Sequence, residues 1–199
     1  PYEPEASTIG RRSLAITALG YLAKTRSVDE ILRERFDESS NLTERFAAYR
    51  IARSDGSEEL SERLSNNFLA GAETDEVLDL WLSTEAMNES TATIDRLHEL
   101  MSHERFAWTN PNRVRAVLGT FANRNVRAFH TPEGYRLLAD AVLKLDAMNP
   151  QIASRLVMPL CQWARFTEQY QAAMKAELRR MVAKDLSKDL DEIVSKSVD

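Results

Sequence analysis

Apolar residues recur along this chain at helical intervals, separated by short polar stretches, and no stretch alternates as a paired strand would. Residues 8–24 place Leu14, Ala18, Tyr21 and Leu22 on one helical face. The pattern repeats from Val28 to Phe36 behind a candidate Ser27 cap. Over 41–52 it brings Leu42, Phe46 and Tyr49 together. Ser57 stands three residues before Leu60 with acidic residues in the first turn, the signature of a capped start. Further helices are expected at 58–71, 75–86 and 91–102, then from Pro111, Pro132 and Pro150, and finally over 166–183 and 186–197. Proline is pre-shaped for the first turn, where its missing N–H costs nothing.

Helix–turn–helix units at intervals of about 30–40 residues predict an all-α fold. The expected architecture is a right-handed α-solenoid, or superhelix, of paired antiparallel helices of the HEAT/armadillo kind. A compact irregular bundle is the alternative, because no sequence repeat of fixed period is visible. No Pro/Ser-rich linker divides residues 1–199, which are expected to act as one domain.

Composition narrows the function. The chain has 199 residues, 43% of them hydrophobic and 29% charged, and only six glycines and six prolines. This suits a helical core rather than disorder or hairpins. Acidic residues outnumber basic ones 31 to 26 and the two are interspersed, which disfavours a nucleic-acid partner. No apolar run reaches the ~18 residues of a membrane span, so no membrane partner is expected. A single cysteine, Cys161, forbids an intrachain disulfide and favours a cytoplasmic setting. Because the chain opens on Pro1 rather than Met, an excised or processed piece is expected.

Two apparent chemical motifs dissolve on inspection. In "HELMSH" (98–103) the histidines are five residues apart, so His103 lies about 140° round the helix from His98. A zinc-binding H-E-x-x-H needs a spacing of four. Cys161, among Val157, Leu160 and Trp163, is expected to be a buried thiol rather than a nucleophile. His130 is expected to be a structural hydrogen-bonder.

The more informative pattern is a pair of matching helix starts, "NPNRVRAVLGTF" from Asn110 and "NPQIASRLVMPL" from Asn149. Each has an asparagine to cap, a proline for the first turn, and an arginine soon after, Arg115 and Arg155. Cations near a helix N-terminus oppose its dipole, so their presence asks for a compensating role. Arg113 and Arg115 are about 200° apart and border the Val114–Val117–Leu118–Phe121 stripe on opposite sides. On a continuous second helix, Gln151, Arg155 and Gln162 fall within about 40° of one another. They make a polar track on an apolar helix, which is either a solvent-exposed strip or the lining of a cavity.

"IGRRSL", "NLTERFAA", "NPNRVRAVLGTFA", "AFH" and "NPQIASRL", in that order, resemble the C-terminal helical domain of bacterial aminopeptidase N, a zinc-dependent alanyl aminopeptidase. The resemblance implies a C-terminal domain that caps a catalytic domain, lines the substrate cavity and controls access to it. Upstream β, zinc-peptidase and β-sandwich domains are then expected elsewhere. It implies a zinc cofactor whose ligands lie outside this chain, peptide substrates, intramolecular packing on the zinc-peptidase domain, and no catalytic residue or metal ligand within 1–199. It also implies that Arg115, Arg155 and Gln151 line the substrate cavity while Arg113 is structural. The competing expectation is a free-standing α-solenoid that binds a partner protein.

Overall fold

Side-chain caps set most of the helix starts in the computed structural model of the chain, which describes residues 5–89 and 93–198. Among those residues there is no strand. Asn41 accepts the Glu44 amide, Ser57 the Leu60 amide, Thr93 the Arg96 amide and Thr131 the Gly134 amide, each supplying an acceptor to an otherwise unpaired helical N–H. Ser27 does not cap: the second helix starts from Val28 without a side-chain acceptor, and Asp29 and Glu30 answer its dipole instead. The expected helix start at residue 91 lies outside the described residues.

The first compact unit spans residues 1–84. It holds α1 (Ala6–Ala23), α2 (Asp29–Glu38), α3 (Leu42–Asp55) and α4 (Glu58–Ala70), and most of α5 (Asp75–Met87). Helix α3 lies in the middle, packed against α1, α2 and α4. Its Tyr49 stacks on Phe68 of α4 with ring centres 4.7 Å apart, and Leu32, Phe36 and Leu64 close the core around them. The Trp81 indole donates to Ser65 at 3.0 Å, tying α5 to α4.

The face proposed for α1 is not the buried one. Leu14 and Tyr21 are exposed, and α1 buries Leu19 instead. Helix α1 is apolar on two sides, so periodicity alone could not say which side meets α3.

The second unit spans residues 85–199. After α6 (Ile94–Met101) come α7 (Pro111–Val114), a π-helical turn (Arg115–Gly119), α8 (Thr120–Arg124) and α9 (Val126–Phe129). Then follow α10 (Pro132–Asp146), α11 (Pro150–Leu156), α12 (Met158–Cys161), a 3-10 turn (Trp163–Arg165), α13 (Glu168–Val182) and α14 (Lys188–Val198). Helix α10 is central, with α6, α9, α11 and α13 packed on it. Val117, Leu118, Phe121, Tyr135, Leu138 and Val142 are fully buried. Asp146 at the end of α10 accepts the Ser187 amide at 2.8 Å, which positions the start of α14. The Trp163 indole donates to the Ser197 carbonyl at 2.6 Å and holds its far end.

Candidate functional site

Two interruptions of regular helix shape a cleft in the second unit. The helix from Pro111 runs one α turn and then widens into the π turn Arg115–Gly119, in which the Arg115 carbonyl accepts the Thr120 amide. Such turns are frequent at functional sites because one extra residue re-aims neighbouring side chains. The helix from Pro150 stops at Leu156, because Pro159 offers no N–H and its ring clashes with the carbonyl four residues back. A polar track calculated on an unbroken helix therefore does not survive. Gln151 and Arg155 stay together, whereas Gln162 lies beyond the break and accepts a hydrogen bond from Arg165 at 2.8 Å.

Arg115 and Gly119 of the π turn and Gln151 and Arg155 of α11 line a cleft of about 400 Å³, with Val114 and Ile152 among its apolar walls. All three residues expected at the site thus meet in one place. No acidic side chain is among the described residues that line it, although the whole chain carries a net charge of −5.

The two cations are held differently. The Arg115 side chain donates through Nε to the Pro111 carbonyl at 3.2 Å and through Nη2 to Asn112 Oδ1 at 2.6 Å. Asn112, three residues before Arg115, was not singled out from sequence, although the N-P-N-R-x-R spacing carried that signal. Arg155 makes no hydrogen bond or ion pair among the described residues. Both arginines are solvent-exposed, so the exposed-strip and cleft-lining alternatives coincide here. Gly119 lies beside the arginine stem: a Cβ there would sit in ordinary contact with Arg115, 3.7 Å from its Cβ. Both Asn-Pro starts cap as expected, Asn110 accepting the Asn112 amide and Asn149 the Ile152 amide. Arg113, by contrast, is buried and lies outside the cleft lining.

The other candidates fall elsewhere. His98 borders a separate cleft with Trp108, Arg136 and Lys144, while His103 Nδ1 accepts the Arg105 amide at 3.2 Å. His130 shares a 2.8 Å hydrogen bond with the Tyr135 hydroxyl inside a cage formed by the rings of Phe129, Phe166 and Tyr170. Burial lowers the pKa of His130 and pushes that of Tyr135 up to about 12. Burial also raises the pKa of the half-buried Cys161 thiol, disfavouring the nucleophilic thiolate. Among the described residues, no group of three His, Cys, Asp or Glu side chains is placed to hold a metal ion. No described helix is long and apolar enough to cross a membrane.

Paired helices throughout, with a cationic cleft between two Asn-Pro helix starts, define a helical-repeat protein. The chain belongs to the ARM-repeat family described as a domain of unknown function (DUF3458_C), which it matches over residues 1–199. It is 33% identical to aminopeptidase N of Haemophilus influenzae and 33% identical to that of Caulobacter vibrioides, each over 99% of this chain. Its identity to aminopeptidase N of Escherichia coli is 31%, again over 99% of the chain. The crystal structure of Legionella pneumophila aminopeptidase A in complex with aspartic acid matches 85% of the chain with a TM-score of 0.79 and 30% identity, over 20% of its own length. The chain spans 23% of the length of the curated relatives, in their C-terminal part.

Proposed function

We propose that this chain is the C-terminal helical domain of a zinc-dependent aminopeptidase of the cytoplasm, and that the cleft lined by Arg115, Gln151 and Arg155 binds the peptide substrate away from its reacting end. Residues 1–199 act in this reading as one domain that caps the catalytic domain, lines the substrate cavity and controls access. Zinc and its ligands lie outside this chain, which supplies no group to the bond-breaking step. Its contribution is binding: guanidinium groups pair with a peptide's C-terminal carboxylate or main-chain carbonyls, and Gln151 offers both a donor and an acceptor.

The observation that supports this most is the meeting of two arginines in one cleft without an acidic neighbour. Several other arginines of the chain have carboxylate partners, as Arg96 has Glu85 and Arg180 has Asp140. An unpaired cationic cleft in an acidic chain is suited to an anionic or carbonyl-rich ligand.

The test uses the complete enzyme with Arg115→Ala and Arg155→Ala. A charge-assisted hydrogen bond contributes roughly 1.5–3 kcal/mol, and solvation in an open cleft puts the effect at the low end. Each variant is expected to raise KM for oligopeptides about tenfold with kcat little changed. Hydrolysis of an alanyl arylamide, too short to reach the cleft, should stay near wild type. Equal losses on both substrates would point to domain docking instead, and no loss on either would remove the cleft from substrate binding.

A further inference from the structure

The three tryptophans of the chain are not used alike. The indole N–H groups of Trp81 and Trp163 donate to the Ser65 hydroxyl and the Ser197 carbonyl, at 3.0 and 2.6 Å. Trp108 is half-buried, and its N–H has no acceptor among the described residues. Its ring carries the Lys144 ammonium 4.0 Å from the ring centre and meets Phe106 edge to face.

Trp108 lines a cleft of about 420 Å³ together with one side each of α6 and α10. Helix α6 contributes Ile94, His98 and Met101, at the spacing of a single helical face. Helix α10 contributes Arg136, Leu137, Ala141 and Lys144. Leu137 and Ala141 are buried and Ile94 and Met101 half-buried, so the walls are apolar, while His98, Arg136 and Lys144 reach solvent. Two carboxylates also border the cleft. Asp140 is bound to Arg180 at 2.6 Å, and Glu133 lies in the first turn of α10, where the helix dipole favours an acid. Arg136 and Lys144 form no ion pair among the described residues.

The packing separates this cleft from the one that holds Arg115 and Arg155. Helix α10 packs on α6 and α13, whereas α11 packs on the π turn and α14. The second unit is thus two rows of helices, joined where α10 meets α11 and α13 meets α14. One cleft belongs to each row, and among the described residues they share no lining side chain.

We propose that the cleft between α6 and α10 is a second ligand site, for a small carboxylate with an apolar or aromatic body. The body lies along Ile94, Met101, Leu137 and Ala141. The carboxylate accepts hydrogen bonds from Lys144 and the Trp108 N–H, and Arg136 adds a second cation. Size favours a small molecule over a helix of another protein. The volume falls within the roughly 300–1,000 Å³ of small-molecule sites, and α6, with eight residues, is only about 12 Å long. The site stands on its own residues and does not depend on the peptide cleft.

The test titrates the complete protein with 3-phenylpropionate, followed by isothermal calorimetry, against its neutral isostere 3-phenylpropanamide. Saturable binding of the acid at millimolar concentration or below is expected, with the amide at least about tenfold weaker, as loss of a charge-assisted hydrogen bond implies. Lys144→Gln combined with Arg136→Gln should weaken the acid about tenfold or more and leave the amide unchanged. Both side chains are exposed, and an unchanged circular dichroism spectrum checks that the variant is folded. Trp108→Leu should weaken both compounds. No saturable binding overturns the proposal. So does equal affinity for acid and amide, and so does acid binding that the double variant leaves intact, since that ligand sits elsewhere.

Discussion

Arg113 reaches back under the loop that precedes its helix: its Nε donates to the main-chain carbonyl of Arg105, 3.2 Å away, from a side chain only 2% exposed. Two residues later Arg115 lies in solvent on the cleft wall. The two cations of one helix start therefore sit in opposite settings. One is buried and tied to the carbonyl of Arg105, and the other is exposed on the cleft wall.

The first prediction concerns that tie. Arg113→Ala should destabilise the chain by about 2–5 kcal/mol, the range for emptying a large buried side chain. Arg113→Lys should recover only part of the loss, because an ammonium lacks the planar fork of donors. Chemical denaturation measures both. A loss well under 1 kcal/mol for the alanine variant would show that Arg113 is not a structural anchor.

The second compares two glycines. A Cβ on Gly134 would press on the main-chain oxygens of Ala128 and Phe129, so α10 could not approach α9 as it does. Gly134→Ala should cost about 1–3 kcal/mol, as overpacking does. At Gly20, inside α1, nothing lies within 4 Å of the added atom. Gly20→Ala should stabilise by about 0.5–1 kcal/mol through helix propensity. Thermal melts of the two variants should shift in opposite directions, and a common sign would refute the packing argument.

The third is a pH dependence. His130 sits among Phe129, Tyr135, Phe166 and Tyr170, and burial lowers its pKa below the ordinary 6.5. The folded state then binds fewer protons than the unfolded state between the lowered value and 6.5. Stability rises with pH across that window and is lost as pH falls through it. With Tyr135 pushed up to about 12, its hydroxyl keeps its proton throughout. His130→Gln should flatten the dependence below pH ~6.5. Denaturation at a series of pH values checks this, and an unchanged slope in the variant would assign the dependence to other groups.

Much of this architecture was legible because its signals are local. Asn110-Pro111, Thr131-Pro132 and Asn149-Pro150 each announce a helix start through one side chain and one ring, and each start forms there. The pairing of Arg115 with Arg155 was visible as two similar motifs. The cleft itself was not, because it depends on α11 packing beside the π turn across some 35 residues of chain. Pro159 was printed in the sequence, yet a 100° wheel drawn through it placed Gln162 with Arg155. The π turn had no visible signal, since Val117, Leu118 and Phe121 are buried in either geometry. For α1, two apolar faces left the choice to whatever else packs nearby.

The unequal restraint of the two cleft arginines has a thermodynamic consequence. Arg115 is already held by the Pro111 carbonyl and Asn112, so a ligand that meets it orders little that was not ordered before. Arg155 keeps its rotamers, and fixing such a side chain costs roughly 0.5–1.5 kcal/mol. A ligand group at Arg115 is thus met by a fixed post that judges angle and distance, and one at Arg155 by a swinging arm that follows it. Under the proposed peptide-binding role, chains differing by a residue in length would share the same first contact while the second adjusts, at an entropic cost that grows only when the arm is used.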